Sequence, residues 1–353
     1  MKKLLFIILT LIALMLITLS ASFLYFTSPV SKESKLQLFI IKNGESSKTV
    51  SSRLKQNNLI RNESIMYLYL RIQDKRIVAG TYELSPDMKL SKIIDMLTTG
   101  KVSNSNIIIT IPEGKNMRQF ASIVSLKMNH SVTSILDAVN DKNYISSKIA
   151  EYPWLTNDIL NSNIYYPLEG YLFPDTYAIK SVDSSIYELT DKMLAKMDQV
   201  ITKELKNYQG HYSYHQLITM ASIIELEGLN KESRQTVASV FYNRLKINMP
   251  LGSDVTTYYA AKVNLNERDL KKSEIKAANP YNTRGPNMAG VLPVGPIAAP
   301  SLSAIHAAIY PANTDYLYFV ADKYSKMYYT KSYTEHNAIV AKLKREGLWY
   351  TWD

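Results

Sequence analysis

Residues 214–228 read YHQLITMASIIELEG, and this stretch decides how the C-terminal half is built. Leu217, Ile218, Ala221, Ile224 and Glu225 fall on one side of a strongly apolar helix, and Gly228 predicts its end. Positions 217, 221 and 225 stack at i, i+4 spacing, so Leu217 and Ala221 set the Glu225 carboxylate on an apolar face. Desolvation raises a carboxyl pKa, as a general acid working near neutral pH requires. Two readings compete for Glu225: an acid/base at the mouth of a cleft, or a structural carboxylate ion-paired with Arg234 or Arg244. Glu227 faces elsewhere on the helix, where a solvent-facing or capping role is the plain expectation.

Working outward, a second helix is predicted over Ser233–Ile247, with Val237, Val240, Phe241 and Leu245 as its buried stripe. Asn279–Pro300 then places five Pro and three Gly in 22 residues. Tyr281, Met288, Val291, Leu292 and Ile297 give it packing groups, so it reads as a long ordered loop of the kind kept for function. Helix resumes at Leu302–Ala308, a strand follows at Tyr316–Ala321, and Ser332–Arg345 closes the chain as a helix. Upstream, Leu36–Ile41 reads as a strand that turns through Lys42-Asn43-Gly44 into a helix burying Val50 and Leu54. Helices over Ser64–Gln73 and Leu90–Leu97 bracket a short strand at Gly80–Leu84. Ile107–Ile111 and Pro112-Glu113-Gly114 repeat that strand–turn–helix at an offset of 70 residues, aligning Gly114 with Gly44 and Phe120 with Val50. Two small α/β modules in series are expected, then a mainly helical region to Leu205 with a polar insert near Asn157–Asn163. The fold class is α+β. Its expected parts are an N-terminal transmembrane anchor (1–30), a small α/β module (36–103), a middle α/β region (104–205) and a mixed α/β catalytic domain (206–353) that carries the Pro/Gly loop.

The chain has 353 residues, 41 Lys and Arg against 31 Asp and Glu, and a net charge of +10. Nucleic acid, anionic lipid or an anionic polymer outside the cell all answer to that charge. Zero Cys excludes disulfides, thiolate metal sites and thiol nucleophiles. Five His (130, 211, 215, 306 and 336) form no HExxH and no close cluster, so neither a metal nor a cofactor is expected. After Met1-Lys2-Lys3, Leu4–Phe26 is 23 residues without a charge. As a helix that is about 34 Å, enough to cross a hydrocarbon core of about 30 Å. The positive cluster ahead of it favours a cytoplasmic N-terminus and a body outside the plasma membrane, which excludes a nucleic-acid partner. The rival is a cleaved signal peptide with Ser20-Ala21-Ser22 as its small-residue site, against which the apolar Phe23–Phe26 extension counts.

One isolated acid narrows the chemistry. Ordinary glycosidases use two carboxyls at set separations, whereas a lone acid/base suffices when a ring hydroxyl of the substrate attacks intramolecularly.

Here the motifs point to a family. Ala221–Glu227, Val237–Leu245, Met249-Pro250-Leu251 with Asp254, Asn279–Thr283, Leu292–Ile297 and Tyr316–Ala321 resemble, in order, the signature blocks of YceG-like endolytic murein transglycosylases. Leu168–Tyr177 looks like another hallmark, and the strand followed by Gly44-Glu45 is similar to the family's LysM-like segment. The resemblance implies a single-pass enzyme that cuts nascent peptidoglycan internally, between N-acetylmuramic acid and N-acetylglucosamine, leaving 1,6-anhydro-muramyl ends. It also implies Glu225 as sole acid/base, with Glu227 its competitor. Candidate substrate contacts are Glu169, Asn243, Asp254, Tyr281 and Asn282: Tyr281 offers a stacking face, and Asn282 both donates and accepts. The competing reading makes Tyr281 a core aromatic and the Asn-Pro-Tyr-Asn run turn chemistry. Glu169 has a structural pair or cap as its rival role, and Asn243 either orients Glu225 or satisfies backbone groups. The chain departs from the family at Gly252-Ser253-Asp254, where Gln-Thr-Asp is usual, and at Val294 and Ser301. Expected partners are glycan strands, the membrane through residues 4–26, and peptidoglycan synthases. The alternatives are a wall-glycan-binding scaffold for those synthases, and a two-carboxylate hydrolase pairing Glu225 with Glu169 or Asp254.

Overall fold

The computed structural model describes residues 2–32, 34–99 and 107–349. Helix α1 (Lys2–Thr27) is 26 residues long. The side chains at 2–5, 7–9, 12 and 13 lie outside the described residues, Lys2 and Lys3 of the orientation argument among them. Among the described residues no helix is long and apolar enough to cross a membrane. The boundary expected between 103 and 104 also falls outside the described residues.

The described chain divides into two compact units. The first is Met1–Ile107 with Lys127–Asn129 and Ala178–Ser184. In it β1 (Gln37–Ile41) pairs antiparallel with β2 (Gly80–Leu84), Phe39 opposite Tyr82. The period-2 alternation of β1 buries Phe39 and Ile41 and exposes Leu38. Helices α2 (Ser47–Gln56), α3 (Glu63–Ile72) and α4 (Leu90–Thr99) close over this hairpin. Their apolar faces put Val50, Leu54, Met66, Leu70, Ile93 and Leu97 into one core with Tyr82 and Leu84. Ser46 and Asn62 start α2 and α3 by accepting the backbone N–H three residues on.

Strand β3 (Ile107–Thr110) pairs with β4 (Thr176–Ile179), a strand inside the stretch expected to be helical. The sequence reading missed β4, whose strand state is decided by its pairing with β3. Helices α5 (Met117–Ser125), α6 (Val132–Val139) and α7 (Lys142–Glu151) lie between these strands, and α8 (Ile186–Glu204) follows. The second unit, Ile108–Leu126, His130–Tyr177 and Ser185–Asp353, holds most of the residues of both the middle and the catalytic regions.

At its centre is α9 (Tyr214–Glu227), started by a capping box between Ser213 and Gln216 and ended at Gly228. Rather than one apolar face it is buried on every side from Leu217 to Ile224. Helices α10 (Lys231–Lys246), α11 (Asp254–Ala260) and α13 (Leu302–Ile309) pack against it, while the short α12 (Lys272–Ile275) stands on the surface. The hairpin β5 (Tyr318–Ala321)–β6 (Met327–Thr330) and α14 (Tyr333–Arg345) complete the unit.

The Pro/Gly loop is irregular yet fully engaged. Pro250 bridges to Ala289, Ile297 N donates to Ser222 Oγ on α9 (3.0 Å), and Ala299 N donates to Lys115 O (2.9 Å). Gly170, at φ +79°, lets this loop approach: a Cβ there would sit 2.4 Å from Pro296 Cβ.

Candidate active site

A helix that is buried all round and ends in Ile-Ile-Glu-Leu-Glu must release its two carboxylates between its neighbours. Residues two apart on a helix point about 200° apart, so Glu225 and Glu227 emerge on different flanks. Each lines a separate cavity.

Glu225 lines a cavity of about 330 Å³ with Glu113, Asn116, Gln119, Tyr258 and Tyr259. Its side chain is 6% exposed and is held at both oxygens. Arg234 Nη2 donates to Oε1 (2.7 Å) and Ser301 N donates to Oε2 (2.9 Å). The Arg234 guanidinium is itself fixed on the hydroxyls of Ser301 (3.0 Å) and Ser303. Burial raises the Glu225 pKa, the Ser301 hydrogen bonds and Arg234 pull it down, and nearby Glu113 adds to the rise. Glu225 is thus ion-paired, with Arg234 as the partner. Ser301, a departure from the family pattern, supplies one of the anchors.

Glu227 lines a second cavity, of about 320 Å³, with Arg244, Ser253, Asp254, Arg284 and His336. Among the described residues its side-chain hydrogen bond comes from one hydroxyl, Ser253 Oγ (2.6 Å). Burial raises its pKa first, Ser253 lowers it, Asp254 raises it, and Arg284 and Arg244 lower it. As the last residue of α9 it also sits at the negative end of the helix dipole, which disfavours a carboxylate further. Ser253 is held by its neighbours: its N donates to Thr283 Oγ1 (2.9 Å), and Thr256 Oγ1 donates to its carbonyl (2.7 Å). Arg244 Nε donates to Leu317 O (2.6 Å) and its guanidinium lies 5.2 Å over the Tyr318 ring. Burial, then Arg244, depresses the His336 pKa, and His336 stacks on Tyr318 at 5.5 Å.

The other candidates separate cleanly. Asp254 joins this cavity, ion-paired to Arg284. Tyr281 and Asn282 do not line a cleft: both are fully buried. Tyr281 is a core aromatic against Tyr165 and Tyr259 (4.8 Å each). Asn282 takes a bond from Thr257 (2.7 Å) and donates to the carbonyls of Ile275 (3.0 Å) and Ala277 (2.9 Å), which makes it a turn anchor. Glu169 is 2% exposed, accepts from Met117 N at both oxygens (3.0 and 2.9 Å) and from Tyr259 OH (2.9 Å), and so caps α5. Burial lifts its pKa to about 7, against those hydrogen bonds. Asn243 spends its amide N–H groups on the carbonyls of Thr314 (2.7 Å) and Tyr316 (3.0 Å), not on Glu225. The sequence reading missed Ser253, Arg284 and His336 as site residues; the Asp254 block pointed to the first, and nothing local marks His336.

A mixed α+β body in which one buried helix delivers two desolvated carboxylates into polar cavities defines the class. The chain belongs to the YceG-like family, whose model matches residues 39–342. It is 37% identical over 326 residues to a Bacillus subtilis protein named endolytic murein transglycosylase, covering 90% of this chain and 89% of that one. A Streptococcus pneumoniae protein of the same name is 32% identical over 332 residues, and the chain spans 60% of its length. The crystal structure of a YceG-like protein from Listeria monocytogenes matches with a TM-score of 0.62 at 35% identity, over 87% of this chain and all of that one.

Proposed function

We propose that this protein is an endolytic peptidoglycan lytic transglycosylase in which Glu227, rather than the expected Glu225, is the general acid/base. The family and the relatives' names support the activity. The observation that carries the residue assignment is the contrast in tethering. Glu227 is desolvated and bound by one hydroxyl, whereas a guanidinium and a backbone amide tether Glu225 at both oxygens.

In this reading the protonated Glu227 gives its proton to the glycosidic oxygen as the bond from C1 of N-acetylmuramic acid to N-acetylglucosamine breaks. The C6 hydroxyl of the same muramic acid then closes on C1, and Glu227 takes up the hydroxyl proton. No water is consumed, and the acid is regenerated. Arg244, Arg284 and His336 line the cavity in which this happens.

Glu225 is the second reading, favoured by its own cavity and raised pKa. Digestion of purified peptidoglycan separates the two. Glu227→Gln is expected to release no anhydro-muropeptides, while Glu225→Gln releases them from a less stable protein. The opposite pattern assigns the chemistry to Glu225, and reducing muramic ends would sink the transglycosylase reading. Anchoring through residues 4–26, with the body outside the plasma membrane, belongs to the same proposal and is supported by that charge-free run.

A further inference from the structure

A second-unit cavity of about 780 Å³ takes no part in the chemistry above. Tyr208, His211 and Tyr212, from the segment between α8 and α9, line it with Tyr242 and Lys246 of α10. The rings form a connected platform, with His211 on Tyr212 at 4.2 Å and Tyr212 on Tyr242 at 5.0 Å. They are held in place by the protein itself: Tyr242 OH donates to Ala308 O (2.7 Å), and Tyr208 OH accepts from Tyr212 N (3.2 Å). Tyr208, Tyr212 and Tyr242 are half-buried. Among the described residues no acidic side chain lines the cavity, and Lys246 is its one Lys or Arg. Tilted aromatic faces in an apolar groove with few charges suit a neutral ligand that has flat C–H faces and hydroxyls at its edge.

We propose that this cavity is an accessory saccharide site, holding N-acetylated sugars of the glycan strand away from the bond being cut. The inference rests on the glycan-cleaving reading. Helix α10 joins the two places: Phe241 and Arg244 face the Glu227 cavity, while Tyr242, Asn243 and Lys246 face this one. A helix diameter of about 10–12 Å separates the two flanks, within reach of one polymeric strand.

The test uses the full chain in detergent, with chitotetraose as the binding probe and long glycan strands as substrate. Tyr212→Ala is expected to weaken chitotetraose binding roughly three- to tenfold and to raise KM for long strands by a similar factor. Tyr212→Phe, which keeps the ring, is expected to bind as the wild type does. Unchanged binding and unchanged KM in a Tyr212→Ala protein of normal melting temperature overturn the proposal. So does a KM effect that vanishes on strands stripped of their stem peptides, since the cavity then reads peptide. A wild-type chain that releases no anhydro ends refutes the function reading instead, and the chitotetraose measurement still scores this cavity.

Discussion

At the scale of single residues, one hydroxyl and one carboxylate tune Glu227 in opposite directions. Ser253 donates to it and lowers its pKa, while Asp254 raises it. A general acid loses rate as pH rises through its pKa. Asp254→Asn should therefore move the alkaline limb of the pH–rate profile to lower pH, and Ser253→Ala should move it higher. Shifts of the same sign in both variants would contradict the assignment. Ser253 also clarifies a departure from the family pattern: the usual Thr hydroxyl is kept, and what is lost at Gly252 is the amide. Gly252 has φ +61°, and a Cβ there would come within 3.3 Å of Arg244 Nη1. At Glu225, Glu225→Gln leaves Arg234 buried without its charge partner and should cost about 2–4 kcal/mol of stability, read by denaturant unfolding. The sequence marked both glutamates, but which one is tethered depended on Arg234 and Ser301 arriving from 9 and 76 positions away. No periodicity carries that information.

At the scale of elements, the N-termini of helices give the clearest tests. The capping box at Ser213 starts the helix that carries both carboxylates, so Ser213→Ala should cost about 1 kcal/mol. That loss lowers the melting temperature by about 2–4 °C. Helix α5 is capped twice, locally by Asn116 and from a distance by Glu169. The Glu169 pKa is raised from 4.5 to about 7, so the folded state holds a proton that the unfolded state releases. Its contribution is present below pH 4.5 and is lost as pH rises toward 7. Glu169→Gln should flatten stability across that window, by up to about 3 kcal/mol, and an unflattened profile would show that Glu169 does not titrate there. Gly44 and Gly114, aligned from sequence alone, take nearly the same φ, +77° and +71°, each in the turn ahead of a capped helix. The elements that escaped were the short ones. Strand β6 and helix α11 are among them, and tertiary packing decides both.

At the scale of the whole molecule, the order of motifs carried more than any motif alone. Blocks spread from Leu168 to Ala321 fold into one unit around α9, and two of the residues they nominated, Tyr281 and Asn282, turn out to build the site's support rather than its surface. Membership of a motif does not separate the two roles; burial does. The +10 charge and the charge-free run at the N-terminus fit a protein held beside an anionic membrane and wall. Deleting residues 1–27 should move the protein from the membrane fraction to the soluble fraction, and retention in the membrane would refute the anchor. The central claim, that one desolvated carboxylate at the end of α9 does the chemistry, is tested most directly by mass spectrometry of peptidoglycan digests. Wild type and Glu225→Gln should yield 1,6-anhydro-muropeptides and Glu227→Gln none, each variant being checked for folding. Anhydro products from Glu227→Gln at the wild-type rate would contradict the account.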